Sequence, residues 1–203
     1  MRRFALLSAS LGVMLALALP ATPARALNGV SFVSATGNDT SNNCLFPTTP
    51  CQSFPNALQN TVPGGEIICL SGGVFDNGLG FTIAQSVTID CGGEVVFSLG
   101  ITINGPGIVP GIVVKLRNFT FNGIDSLGFG INATNMAALF VENCHILGYT
   151  GDSGVGINFA PADGVTAKLY VKDIGRQCFD VQRDSARAQA AGPIVGDVKS
   201  HLV

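Results

Sequence analysis

GFTI (80–83), GITI (100–103), GFGI (128–131) and GVGI (154–157) are four variants of one phrase, and their starts lie 20, 28 and 26 residues apart. A period of that size signals passes of chain stacked on one another rather than a single globular core. Each phrase is followed by a second strand-like phrase: SVTIDC from Ser86, VVKLRN from Val113, LFVEN from Leu139 and LYVKD from Leu169. Two phases repeating in step support stacking far better than either alone.

Aligning the second phrase on Val87, Val114, Leu139 and Leu169, with spacings of 27, 25 and 30, sorts its residues by strand alternation. Those four, and two residues on Ile89, Leu116, Val141 and Val171, form wholly aliphatic inward columns, as a stacked parallel interior requires. Four residues after the alignment point come Cys91, Asn118, Asn143 and Asp173, where the chain must turn. Asn118 and Asn143 are expected to form a structural ladder, bonding the turn backbone and one another's amides. A third short strand is read at 95–97, 119–121 and 144–147, with Gly92, Gly93, Gly123 and Gly148 permitting the corners. Three strands per pass of roughly 20 to 30 residues predict an all-β protein, a parallel β-helix of roughly four coils. Crossover preference predicts that it is right-handed.

Before the repeats, residues 1–26 read as a secretory signal peptide. Arg2 and Arg3 supply the positive end, residues 4–19 the apolar run, and Ala24-Arg25-Ala26 the cleavage site. The apolar run ends at Pro20, short for a spanning helix, so no stable membrane insertion is expected. The paired arginines raise the twin-arginine route, but the rest of that signal is missing. Export to the periplasm or extracellular space is the expectation. Without Arg2, Arg3 and Arg25 the chain carries eight basic residues against thirteen acidic ones, a net charge of −5. That balance argues against nucleic acid or an anionic membrane as partner.

Residues 27–63 carry a strand at 31–35, an irregular Pro-rich loop between Cys44 and Cys51, and a helix at 54–61. Ser53 is its N-cap, Pro55 lies in its first turn, and Phe54, Ala57, Leu58 and Val62 form its apolar face. Such a helix would cap the first coil, which otherwise exposes interior and unpaired backbone. The stack itself spans 64–173 and opens with EIICL (66–70) after a Pro63-Gly64-Gly65 turn.

All six cysteines follow the signal segment, and export makes disulfides possible. Cys44 and Cys51 are the first expected pair. Cys69 and Cys91 stand 22 apart, close to one coil, and are either bridged or simply buried. Cys144 reads as a buried thiol, Cys178 is left over, and no metal-ligand spacing is present.

The stretches FVSATGNDTSNNC (32–44), PCQSFPNAL (50–58), GGEIICL (64–70), SVTIDCGG (86–93), GITING (100–105) and LFVENCHILG (139–148) resemble the small exported right-handed β-helix proteins of the pectin-lyase-like superfamily. The resemblance covers roughly residues 30–173. It implies the fold and the capping helix, but that superfamily includes lyases, hydrolases, epimerases, adhesins and proteins of no known activity. Fold alone does not select among them.

The tail 174–203 departs from the repeat. Residues 168–203 hold ten charged residues in 36, whereas 27–167 hold eleven in 141. A helix at 184–192 that lids the last coil is one reading; a poorly packed tail without an apolar docking stripe is the favoured one. In either case the edge of the last coil is the expected place for self-association.

Chemistry is sought on the outward columns. One residue after the alignment point stand Thr88, Lys115, Phe140 and Tyr170; three after it stand Asp90, Arg117, Glu142 and Lys172, a column of alternating sign. As an acidic-polysaccharide groove, Lys115 or Arg117 would take a proton α to a uronate carboxylate. Glu142 would belong to the same face, and carboxylates would hold Ca²⁺, the only cofactor that any reading implies. Phe140 and Tyr170, with Asp90 and Lys172, would bind sugar. The plainer reading is that opposite charges stack because like charges repel. A pectate-lyase-like site would also bring a basic cluster with several aspartates, and a polygalacturonase-like site paired aspartates with a Gly-His-Gly; neither is present.

His145 and His201 read as incidental, and Asp125, Asp152 and Asp163 as turn residues. Ser153 lacks the nucleophile-elbow glycine. The Asn38, Asn118 and Asn132 sequons matter only in a eukaryotic host. The leading expectation is an exported, non-catalytic β-helix protein, structural or surface-binding, with polysaccharide its most plausible ligand. The alternatives are a polysaccharide lyase or glycoside hydrolase, and a shortened relative without a function of its own.

Overall fold

The computed structural model describes residues 27–71, 73–75, 80–97, 100–107, 111–123, 128–149, 155–161 and 166–173. Residues 1–26, read above as a signal peptide, and Asp125, Asp152, Ser153, Asp163, Cys178, His201 and the tail 174–203 lie outside the described residues. Strand β1 (Asn28–Val33) is followed by the one described helix, α1 (Phe54–Asn60). Then come β2 (Thr61–Cys69), β3 (Gly73–Val74), β4 (Phe81–Ile83), β5 (Val87–Phe97), β6 (Ile101–Asn104) and β7 (Val113–Asn122). The last are β8 (Phe129–Asn135), β9 (Ala138–Glu142), β10 (His145–Leu147), β11 (Val155–Phe159) and β12 (Lys168–Lys172).

The protein is mostly β, and all pairings between these strands are parallel. The larger sheet runs β1-β2-β5-β7-β9-β12, with β3 beside β5 and β10 beside β7; the smaller runs β11-β8-β6-β4. From β4 onward the chain alternates between the two sheets, except that β9 and the short β10 both join the larger one.

Register follows the aliphatic alternation. Val87, Val114, Leu139 and Leu169 stand opposite one another, as do Ile89, Leu116, Val141 and Val171. All but Val171, which is partly buried, are buried. The smaller sheet repeats the arrangement with Phe81, Ile101, Ile131 and Ile157 in one buried row and Ile83, Ile103 and Ala133 in another. The glycine that opens the second phrase, GITI, keeps neighbouring backbones close: a Cβ on Gly100 would run into the carbonyl oxygen of Phe129.

The larger sheet bends at a corner that costs one residue per pass. Asn118, Asn143 and Asp173 take left-handed backbone conformations, with φ of 58°, 50° and 50°, which Asn and Asp tolerate best after glycine. In β5 the corner is wider. Asp90 faces Arg117 and Val95 faces Phe119, so 91–94 stand opposite Asn118 alone and Gly92 takes the positive φ of 60°. The expected corner residue Cys91 is instead bonded to Cys69, its register neighbour on β2, with Cα atoms 4.5 Å apart.

At the amino-terminal end α1 closes the interior. Ser53 caps it, accepting from the Asn56 N–H at 3.3 Å. Phe54 lies stacked on Phe81 with ring centres 5.0 Å apart and tilted against Phe75 at 5.2 Å. The helix ends at Asn60, one residue before the expected end, because Thr61 is already extended and its hydroxyl donates to the Ala57 carbonyl at 2.7 Å. Val62 is therefore not on the helix; the buried face is Phe54, Ala57, Leu58 and Asn60. The strand expected from residue 66 begins at Thr61, since the Pro63-Gly64-Gly65 turn is a bulge in which 62–65 stand opposite Gly29. The boundary drawn between 63 and 64 thus runs through β2. Beside β1, the Cys44–Cys51 disulfide holds the loop that covers its outer edge: Phe32 N–H donates to Cys44 O, and Cys51 N–H to Phe32 O.

The split between inward and outward columns sets a measurable contrast. Leu116→Ala should lower the unfolding free energy by about 2–5 kcal/mol in urea denaturation. Thr88→Ala, on the opposite face of the adjacent strand, should change it by less than about 0.5 kcal/mol. Equal effects would show that the two columns do not differ in burial.

Candidate functional site

The outward face of the larger sheet brings the sequence-predicted residues together. Thr88, Lys115, Phe140 and Tyr170 stand in one row and Asp90, Arg117, Glu142 and Lys172 in the next. Alternation of side chains along β5, β7, β9 and β12 puts them there for the same reason that it buries Ile89 and Leu116.

The row of alternating charge resolves into one cross-strand ion pair, Arg117 Nε to Glu142 Oε2 at 2.8 Å, with each side chain about one-third exposed. An exposed pair of this kind contributes about 1 kcal/mol or less. Asp90 does not join Arg117. Its carboxylate accepts the Asn118 amide at 2.5 Å. Lys172 lies 3.9 Å from its own neighbour Asp173, both largely exposed, rather than on Glu142.

In the other row, Phe140 and Tyr170 stack on each other, with ring centres 4.4 Å apart and planes 5° from parallel. Lys115 Nζ lies 5.4 Å from the Phe140 ring centre. Tyr170 therefore covers one face of Phe140, and the Lys115 cation associates with the ring as well. This geometry offers a sugar much less of Phe140 than the sequence pattern implies.

The corner residues form the ladder, with a different base. Asn143 Nδ2 donates to Asn118 Oδ1 at 2.6 Å, and Asn118 Nδ2 donates to Asp90, not to position 91. The smaller sheet carries two amide pairs absent from the sequence reading: Asn158 Nδ2 to Asn132 Oδ1 at 2.9 Å, and Asn135 Nδ2 to Asn104 Oδ1 at 2.6 Å. The signal for the first was present, since Asn132 and Asn158 both follow the final isoleucine of their phrases. In every case the amide donates toward the lower-numbered strand.

Cys144 is a buried free thiol whose Sγ lies 3.3 Å from the Glu142 carbonyl oxygen. Burial pushes its pKa from 9.0 up to about 11, against the opposing effect of nearby backbone hydrogen bonds. His145 is exposed and opposite Thr120. Among the described residues no three His, Cys, Asp or Glu side chains are grouped to share a metal ion. No protein-family profile, curated protein or solved structure matches the chain.

Asp173 stands one residue beyond the Lys172–Glu142 pairing, at the corner next to Asn143, and its ionised carboxylate has no proton to donate. Asp173→Asn should extend the ladder by one amide and raise the unfolding free energy by about 0.5–1.5 kcal/mol. A lower denaturation midpoint would contradict this polarity. For Cys144, iodoacetamide at pH 8 should label this thiol in the urea-unfolded chain and spare it in the native one, read from the mass of the Cys144 peptide. Because the folded thiol holds its proton to about pH 11 and the unfolded one to about 9.0, its contribution to stability is constant below pH 9 and falls between those values. Comparing Cys144→Ala with the parent across that window should isolate this loss.

Proposed function

We propose that the chain is an exported right-handed parallel β-helix protein of the pectin-lyase-like kind that acts without catalysis, as a structural or surface-binding module with carbohydrate as its ligand. One observation carries the non-catalytic part: the groups that a lyase would use are committed to one another. Arg117 is bonded to Glu142 and Lys115 lies over Phe140. A base poised for proton abstraction must be oriented toward substrate, whereas these contacts run between neighbouring strands. Parallel pairing in step with the repeat supports the β-helix reading. Two disulfides suit an oxidising compartment, and among the described residues no helix is long and apolar enough to cross a membrane.

The test is an assay of the purified chain against acidic and neutral polysaccharides, with and without Ca²⁺, following unsaturated product, new reducing ends and retention on immobilised glycan. Retention without product is the expected result. Product that disappears in Lys115→Ala or Arg117→Ala would make the protein a lyase or hydrolase, and the absence of both signals would remove the carbohydrate reading.

A further inference from the structure

The amino-terminal disulfide loop encloses a solvent-open hollow of about 620 Å³, away from the charged face. Asn38, Thr40, Ser41, Asn43, Thr48 and Thr49 are among the residues that line it. We propose that this hollow binds a neutral oligosaccharide. The proposal rests on the reading of the chain as a carbohydrate-binding protein and locates the site.

The lining selects the ligand class. No charged side chain lines the hollow, so nothing there neutralises a uronate or a phosphate, and no carboxylate is present to hold a cation. No large apolar side chain lines it either, which removes the driving force for an apolar ligand. Hydroxyls and carboxamides remain, groups that donate and accept as sugar hydroxyls do. Within the described residues, the hydroxyls of Thr40, Ser41, Thr48 and Thr49 are not used in any side-chain hydrogen bond. Phe46, 57% exposed, belongs to the same tight turn, closed by Thr49 N–H donating to Phe46 O at 3.1 Å. Its exposed ring lies in sequence between the lining residues Asn43 and Thr48 and is of the kind that packs on the C–H face of a pyranose.

The walls are braced before any ligand arrives. Asn42 Nδ2 lies 2.7 Å from Asn38 O, 3.1 Å from Thr49 O and 3.0 Å from Pro50 O, tying the two stretches of chain together. Asn38 N–H donates to Pro50 O at 3.1 Å, and the approach is so close that a Cβ on Gly37 would collide with Cys51 O. The Cys44–Cys51 bond closes the loop from below, and Asp39 Oδ1 accepts from Gln52 and Ser53 N–H at 2.7 and 3.1 Å. A site fixed in this way spends little binding energy on ordering itself, and the volume lies within the range of small-molecule sites.

Affinity electrophoresis of the disulfide-intact chain in gels containing xylan, mixed-linkage glucan, mannan, dextran or polygalacturonate tests the assignment. At least one neutral polymer should retard the parent. Phe46→Ala, and the pair Thr40→Ala with Thr49→Ala, should each weaken that retardation about tenfold, the loss of one or two good contacts. Thr48→Trp, which fills the hollow from an exposed position, should abolish it, while Tyr170→Ala should leave it unchanged. Retardation lost in Tyr170→Ala and kept in the loop variants would overturn the hollow while preserving the carbohydrate reading. Retardation by polygalacturonate alone would overturn the neutral-ligand assignment. No retardation in any gel would overturn the proposal together with the reading beneath it.

Discussion

A slip of one residue between neighbouring strands would carry Ile89, Leu116 and Val141 to the solvent side and bring Asp90, Arg117 and Glu142 inside. Every other feature of the protein depends on preventing that slip. Aliphatic columns penalise it and single-residue corners reinforce the penalty: Asn118 and Asn143 take the left-handed conformation at matching positions, so their side chains bond only in the native register. Where the corner widens, at 91–94, the Cys69–Cys91 bond joins adjacent strands covalently.

The start of the stack needs a different solution, because an interior that runs parallel to the stacking direction is open at its ends. Phe54 closes it with the ring stacking on Phe81, and polar groups are settled around the plug rather than within it. Gln85 Nε2 lies 3.0 Å from both Leu58 O and Thr61 O, where α1 passes into β2 and Leu58 O also accepts from the Thr61 N–H. Asn28, Ser31 and Thr61 form a buried polar cluster where helix and strands meet, with the Thr61 and Ser31 hydroxyl oxygens 2.8 Å apart.

Much of this was legible in the amino-acid sequence because the interior obeys period-two alternation and the stacking obeys a fixed repeat. Val87, Val114, Leu139 and Leu169 identify their own register, and Ser53 identifies the helix start. The rest depended on choices that local sequence does not make. Gly92 rather than Cys91 takes the positive φ because a disulfide claims the cysteine, and Asp90 becomes the ladder base because the wider corner leaves it beside Asn118. The Pro63-Gly64-Gly65 segment reads as a turn, but pairing with β1 resumes on its far side and converts it to a bulge. For the outward face, the sequence places the right residues in rows but does not say which neighbours they choose. Arg117 pairs with Glu142 and Phe140 stacks on Tyr170, and those choices make the face self-paired.

The loop held by Cys44 and Cys51 has a consequence for assembly. Its backbone pairs from the outside with Phe32 and Ser34 at the end of β1, so that part of the first strand's edge is not free to take a strand of another copy. A head-to-tail contact is heterologous: it uses two different ends of each molecule and, repeated, grows into a filament. With part of one of those ends already paired, the loop closed by a disulfide of seven-residue separation works against growth of that kind.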